Sequence, residues 1–97
     1  MRFEDDTLHA KTGPDFFTDE KGGGKPFTLR LVSEDEWHKI RDWWQFSGEP
    51  RYIEIAATFS GDSFRRPIRR IGRFGDFAGS PMIYISWGWW KDEGAGE

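Results

Sequence analysis

Residues 32–59 read VSEDEWHKIRDWWQFSGEPRYIEIAATF and hold one helix and one strand with their boundary signals in place. Ser33 and Glu36 have the spacing of a capping box, in which the Ser33 hydroxyl accepts from the Glu36 amide and the Glu36 carboxylate accepts from the Ser33 amide. Val32 and Trp37 occupy the hydrophobic-staple positions on either side of that cap. This part of the chain therefore predicts a helix that begins directly after Ser33.

The predicted helix is amphipathic. Its large apolar residues recur at steps of three and four positions, which places them along one face: Trp37, Ile40, Trp43 and Trp44. One helix face of a small domain does not easily bury three tryptophans, so we expect Trp43 or Trp44 to be partly exposed. Gly48 can adopt the left-handed conformation that ends a helix, and Pro50 cannot continue one. The helix is therefore predicted to cover residues 34–47.

After this helix the apolar pattern changes to a period of two, which is typical of a strand with one buried face. This strand is predicted over residues 51–59, and its inward side chains are Ile53, Ile55, Ala57 and Phe59. A strand over residues 26–32 alternates in the same way and runs directly into the helix cap. The most apolar strand is predicted over residues 82–90.

The segment 64–74 is interrupted by residues that weaken a strand ladder. Pro67 lacks the amide that a central strand needs, and Gly72 has no side chain to pack. This segment is therefore predicted to be an edge strand or an ordered loop. It follows a turn signal at Gly61 and Asp62 that is compatible with a hairpin.

The two ends of the chain are more polar. Residues 1–24 are predicted to form a polar segment that can include a short edge strand over residues 7–12. The glycine-rich run from Lys21 to Lys25 is predicted to be a flexible linker. The tail 91–97 is charged and glycine-rich, which is typical of a flexible terminus. Residues 25–90 are then expected to form the core of the domain.

Together these patterns predict a single α+β domain. Its elements follow the order β-α-β-β-β, which most simply forms an antiparallel sheet of about four strands with one amphipathic, tryptophan-rich helix packed on one face. One sheet with one helix leaves the opposite sheet face uncovered. That uncovered face is the expected place for a partner.

Composition narrows the class of protein. The chain has 97 residues, no cysteine, six tryptophans and nine phenylalanines, with a mean hydropathy of −0.76 and a net charge of −3. Disulfides and thiolate zinc sites are therefore impossible. We find neither the apolar run of a signal peptide nor about 18 consecutive apolar residues that would cross a bilayer, so we expect a cytoplasmic protein without membrane contact. Residues 1–50 hold 7 basic and 11 acidic side chains, whereas residues 51–97 hold 7 and 6.

The sequence contains no pattern that assigns catalytic, cofactor or metal-binding residues. His38 lies on the polar side of the helix with Glu34 four positions before it, which favours an exposed histidine over a general base. His9 has no recognisable companion in the sequence. A small enzyme or ligand-binding domain that assembles its site from distant carboxylates remains an alternative.

One segment differs from this background, because arginine and apolar residues alternate between positions 64 and 74. The guanidinium groups can bind phosphates or carboxylates, and the rings can stack on bases or on the arginines. Three interpretations are open: internal pairing with carboxylates such as Asp35, Glu36 or Glu54, binding to an acidic or phosphate-rich partner surface, and direct binding of nucleic acid. Trp90, near the tail, is a further candidate, since exposed tryptophan is a common interface anchor. The predicted partner-binding residues are Arg65, Arg66, Arg69, Arg70, Arg73, Phe74 and Trp90.

In being short, acidic, cysteine-free and rich in aromatic residues, the chain resembles accessory proteins of phages and mobile elements, including anti-CRISPR and immunity-type inhibitors. The resemblance is one of composition and covers no motif. It implies a small non-enzymatic interaction protein that blocks a surface of a larger protein or ribonucleoprotein partner without a cofactor. A nucleic-acid-binding module that uses the segment from Arg65 to Arg73 is the first alternative. The uncovered sheet face is compatible with a monomer or with a homodimer.

Overall fold

The computed structural model describes residues 1–45 and 50–88, which form two helices and seven strands. The α+β class is thereby confirmed. In chain order the elements are β1 (Arg2–Glu4), β2 (Thr7–Thr12), α1 (Pro14–Gly22), β3 (Phe27–Leu31), α2 (Glu34–Gln45), β4 (Tyr52–Ala57), β5 (Ser63–Pro67), β6 (Arg70–Phe77) and β7 (Ser80–Ser86). Neither helix in this part of the chain is long and apolar enough to span a bilayer.

The strands form two sheets, so the expected single sheet of about four antiparallel strands is wrong. The four-stranded sheet has the order β1-β2-β4-β5, with β2 and β4 parallel and the other neighbours antiparallel. The three-stranded sheet has the order β3-β7-β6 and is antiparallel throughout. Local periodicity identifies strands but contains no information on which distant strand each one joins, and this is where the prediction fails.

The predicted single element over residues 64–74 is two edge strands that belong to different sheets. Pro67 ends β5, and the next two amides point to opposite sheets: Ile68 donates to the Arg51 carbonyl at 2.8 Å and Arg69 donates to the Ser86 carbonyl at 2.8 Å. The chain therefore crosses from one sheet to the other within two residues.

The N-terminal segment 1–24, predicted as a polar segment beside the core, instead contributes two strands and a helix to it. The strand over residues 7–12 is present as β2, but it lies inside the sheet, between β1 and β4, and is not an edge strand. Leu8 and Ala10 point inward, and both are buried. Phe17 of α1, a helix that the sequence patterns did not predict, packs into the same core.

The glycine-rich run between Lys21 and Lys25 is an ordered helix end. Gly23 has a φ of 90°, the left-handed conformation that closes a helix and that glycine adopts without strain. Lys25 then returns to the helix, since its ammonium lies 2.6 Å from the carboxylate of the buried Glu20. The expected flexible linker is therefore a helix cap followed by a partly buried ion pair.

The helix α2 has the predicted cap. The Ser33 amide donates to Glu36 Oε1 at 3.0 Å, and the Glu36 amide donates to Ser33 Oγ at 3.0 Å. Val32 and Trp37 are both buried, as the staple requires. The helix is observed over Glu34–Gln45, and its predicted end at residues 46–47 lies outside the described residues.

The helix α2 packs against β6 and β7, so the tryptophan-rich helix does cover one face of a sheet. Trp37 and Ile40 are buried there, whereas Trp43 and Trp44 are partly buried at the margin, as expected. Inward side chains of both sheets and both helices form one core cluster. Its fully buried members are Leu8, Ile53, Ile55, Ile83 and Ile85.

The remaining strands agree with the predicted segments within a few residues at each end. The segment 26–32 is β3, the segment 51–59 is β4 and the segment 82–90 is β7. Residues 89–97 lie outside the described residues. The predicted flexible tail 91–97 therefore has no structural counterpart to compare.

Candidate interaction surfaces

Two of the five arginines lie on β5 and contact the N-terminal half of the chain. The Arg65 guanidinium donates to Thr7 Oγ1 at 3.2 Å, lies 3.5 Å from Asp6 Oδ1, and is centred 3.9 Å from the Tyr52 ring centroid. Arg66 donates to the Lys21 carbonyl at 2.9 Å, which joins β5 to α1. Both side chains are thereby used in holding the fold together.

Arg73 on β6 has two carboxylate partners. Its Nη2 lies 3.0 Å from Glu34 in the first turn of α2 and 2.7 Å from Asp76. These hydrogen bonds, with Asp76 the larger effect, raise the pKa of Arg73 above its usual value. Internal pairing therefore holds for Arg65 and Arg73, but through Asp6, Glu34 and Asp76 instead of the carboxylates that the sequence suggested.

Arg70 and Phe74 are exposed on β6 and point away from the core. Arg70 makes no ion pair or hydrogen bond with any residue that the structure describes. Arg69, in the link between β5 and β6, is also exposed. Trp90 lies outside the described residues. The six described members of the predicted partner-binding set thus lie on different parts of the surface, and the role of the whole set in binding stays a prediction.

The outer face of the three-stranded sheet collects the exposed apolar residues, and we call it the apolar face. Strand pairing places Leu29 opposite Tyr84 and Leu31 opposite Met82, on the side away from the buried Ile83. On β6 a bulge between Arg73 and Gly75 turns an additional residue to this side. The apolar face consists of Leu29, Leu31, Phe74, Phe77, Met82 and Tyr84.

Exposure on this face is high for side chains of this kind. Leu29 and Leu31 are 47% and 49% exposed, and Phe74 and Phe77 are 56% and 62% exposed. Other large apolar residues with comparable exposure, such as Phe16, lie on separate elements. Four large apolar groups on one sheet face are more than the scattered exposure that a monomeric surface normally shows.

A glycine shapes the centre of the apolar face. A Cβ atom at Gly72 would lie 2.7 Å from Tyr84 Cε1 and Oη, so the tyrosine ring lies directly across the glycine backbone. The Phe74 ring lies beside it, with ring centroids 6.3 Å apart. Together with Leu29 these rings line a shallow cavity of about 470 Å³, and Arg70 forms part of its wall. The cavity offers an apolar floor next to one unpaired cation.

The outer face of the four-stranded sheet has the opposite character. His9 on β2 lies between two carboxylates, with Nε2 3.3 Å from Glu4 Oε1 and Nδ1 3.3 Å from Glu54 Oε1. Arg2 also pairs with Glu4 at 2.8 Å, and this hydrogen bond is the main reason that the pKa of Glu4 is lowered. Sequence reasoning missed these partners of His9 because they lie on neighbouring strands, and only the strand register brings them together.

The other histidine is placed as predicted. His38 is exposed on α2, and its Nε2 lies 3.7 Å from Glu34 Oε1, one helical turn away. Among residues 1–45 and 50–88, no group of three or more His, Asp or Glu side chains is arranged to hold a metal ion.

Comparison with known proteins gives no relative. No protein-family model, no curated protein and no solved structure matches this chain.

Proposed function

We propose that this chain is a small protein-interaction module, and that it acts as an inhibitor by covering a surface of a larger partner protein with its apolar face. The observation that carries the proposal is the concentration of exposed apolar side chains on one uncovered sheet face. Leaving such a patch in water is unfavourable, and burying it against a partner removes that cost.

The composition of the apolar face favours a protein as the occupant. Interface centres are typically built from aromatic and aliphatic side chains, with arginine enriched among the charged residues. Tyr84 and Phe74 supply the rings, and Arg70 supplies an unpaired cation at their edge. We therefore propose a partner that presents an apolar surface with a carboxylate facing Arg70.

The alternative of a nucleic-acid-binding module has less support. Phosphate binding requires several free cations along one surface. Arg65 and Arg73 are bound to carboxylates of the chain itself, and the net charge is −3. The compositional resemblance to phage accessory proteins supports the inhibitor interpretation, and action in the cytoplasm is part of the same proposal.

The test compares two phenylalanines of equal exposure. Phe74 on the apolar face is 56% exposed and Phe16 on α1 is 55% exposed. The tagged chain is expressed in its native host, the co-purifying protein is identified, and the complex is rebuilt from purified components. We expect Phe74→Glu to weaken this complex by more than about tenfold, since it places a charge in a desolvated interface, while Phe16→Glu leaves it unchanged.

Three results would overturn the proposal. The first is equal binding by the two variants. The second is a purified chain that forms a concentration-dependent dimer through the apolar face, which makes a second copy the occupant. The third is tight oligonucleotide binding that weakens steeply with salt and requires Arg65 or Arg70, which supports the nucleic-acid alternative.

A further inference from the structure

An open groove of about 870 Å³ lies along the four-stranded sheet and shares no lining residue with the apolar face. Its basic side chains come from β1, β2 and β3, and its hydroxyl groups come from the loop between β4 and β5 and from the first residue of β5. The residues used below are His9, Lys11, Arg30, Ser60 and Ser63, with the carboxylates of Glu54 and Asp62.

Arg30 reaches this groove because the strand β1 is short. β1 pairs with Thr7 to His9 only, so the following part of β2 has no strand beside it on that side. The Arg30 side chain lies beside this unpaired part of β2. It donates to the Lys11 carbonyl at 2.6 Å, to Thr12 Oγ1 at 2.6 Å and to Thr28 Oγ1 at 3.1 Å. All three acceptors are neutral, and they use three of the five guanidinium N–H groups.

The positive charge of Arg30 is therefore incompletely balanced. Burial lowers the pKa of Arg30, and the charge of Glu20 opposes that effect from a distance. The Glu20 carboxylate already pairs with Lys25 at 2.6 Å. It is linked to Arg30 through Thr12, whose hydroxyl donates to Glu20 at 3.2 Å and accepts from Arg30 at 2.6 Å. One buried carboxylate thus lies between two cations, which leaves an excess of positive charge beside the groove.

Lys11 is the second uncompensated cation. It is exposed on β2 and makes no ion pair or hydrogen bond with a residue that the structure describes. The groove also holds two carboxylates: Asp62 pairs with Lys21 at 2.6 Å, and Glu54 Oε1 lies 3.3 Å from His9 Nδ1.

Hydroxyl donors are available in the loop that lines the groove. Ser60 Oγ accepts from the Asp62 amide at 3.2 Å, which leaves its own hydroxyl hydrogen available to a ligand. Ser63 supplies a second hydroxyl. Ammonium, guanidinium and hydroxyl donors together are the groups that proteins use to bind phosphate and carboxylate oxygens.

We propose that this groove binds a small molecule that carries an oxyanion, a phosphoryl or a carboxylate group, which bridges Lys11 and Arg30. The volume is within the range of about 300–1,000 Å³ that is typical of small-molecule sites. It exceeds the space that a bare phosphate ion fills, so the groove has room for an organic part of the ligand. This site is independent of the apolar face and of the proposed inhibitor function.

The test uses inorganic phosphate, adenosine monophosphate and citrate as probes, each against sodium chloride at equal ionic strength. Binding is followed by ¹H–¹⁵N spectra of the full chain, including the Arg30 Nε signal. We expect saturable shifts at Lys11, Arg30 and Ser63 with at least one probe. Preference for the phosphate probes or for citrate distinguishes a phosphoryl from a carboxylate ligand.

Variants decide whether the proposed cations carry the binding. Lys11→Ala is expected to weaken binding by about tenfold, the loss of one charge-assisted hydrogen bond, while Lys39→Ala on α2 leaves it unchanged. Lys11 is exposed, so its replacement keeps the test valid even if Arg30→Gln fails to fold. Shifts that sodium chloride reproduces, or binding that Lys11→Ala leaves intact, would overturn the proposal.

Discussion

The outer faces of the two sheets present a contrast. On the four-stranded sheet many outward residues are charged and paired, as Arg2 is with Glu4 and Arg65 is with Asp6. On the three-stranded sheet they are mostly apolar and exposed, as Leu29 and Leu31 are.

This difference shows which surface lacks partners among residues 1–45 and 50–88. Opposite charges on neighbouring strands neutralise one another, so most of the charged face gains little by binding a protein. Exposed apolar side chains cannot neutralise one another in this way, because removing them from water requires a second surface to cover them. The contrast therefore supports our proposals that a partner binds the apolar face and that the groove at Lys11 and Arg30 is the uncompensated part of the charged sheet.

The largest expected effect separates the inner face of the three-stranded sheet from its outer face. Ile83 is fully buried, and Ile83→Ala should lower the free energy of unfolding by about 4 kcal/mol, since it loses apolar burial and leaves a cavity. Leu31→Ala, on the exposed side, should cost less than about 1 kcal/mol. Urea denaturation measures both values. Equal losses would mean that the apolar face is buried within the chain.

The next effect concerns the ion pair that fixes α1. Lys25→Met leaves the carboxylate of Glu20, which is 1% exposed, without its cation, and should cost about 3 kcal/mol. The double variant Glu20→Gln with Lys25→Met should recover much of this loss, because no unpaired buried charge remains. A loss below about 0.5 kcal/mol for the single variant would place this pair with the weak exposed ones.

A smaller effect tests the geometry of the apolar face. Gly72→Ala would place a methyl group 2.7 Å from Tyr84 Cε1 and Oη. The ring is the mobile end of its side chain and can move, so we expect a loss of about 1 kcal/mol with a clear change in the Tyr84 ring resonances. Gly22→Ala, with nothing within 4 Å of the added atom, is the steric control. Unchanged Tyr84 resonances in Gly72→Ala would contradict the observed packing.

The smallest effect is electrostatic and depends on pH. The hydrogen bond from Lys21 is the main reason that the pKa of Asp62 is lowered in the folded chain. A lowered pKa stabilises the fold above the unfolded-state pKa, and this contribution is lost as pH falls through the folded-state pKa.

Asp62→Asn should therefore lower the urea midpoint slightly at pH 7, and this difference should shrink at acidic pH as the carboxylate becomes protonated in the folded chain. Lys21→Gln should show the same dependence, because it removes the other half of the pair. A difference that persists unchanged at the acidic pH would assign the effect of the substitution to something other than this ion pair.

Local chemistry predicted much of the secondary structure. The cap at Ser33 and Glu36 and the alternating pattern of β4 depend on neighbouring residues. The structure confirms the cap and the inward Ile53, Ile55 and Ala57, whereas Phe59 lies beyond the end of β4 and is exposed. The parallel pairing of β2 with β4 joins residues about 45 positions apart and has no local signal. The helix α1 was missed because its apolar face contributes only Phe17 to the core.

The candidate surfaces were less predictable for the same reason. The arginines are close in sequence, but the change of sheet after Ile68 sends Arg65 and Arg70 to different surfaces. Arg70 and Phe74 do lie together beside Tyr84, which the alternation of β6 and β7 did not reveal because the bulge after Arg73 shifts the register. The unpaired charge of Arg30 depends on the length of β1, which no residue near Arg30 indicates.

Site-specific photo-cross-linking tests the central claim most directly. A photoreactive phenylalanine analogue is placed at Phe74 or at Phe16, which are equally exposed but lie on different surfaces. In cells of the native host, position 74 should give one defined cross-linked protein and position 16 should give none. The same product from both positions, or a product from position 16 alone, would contradict the assignment of partner binding to the apolar face.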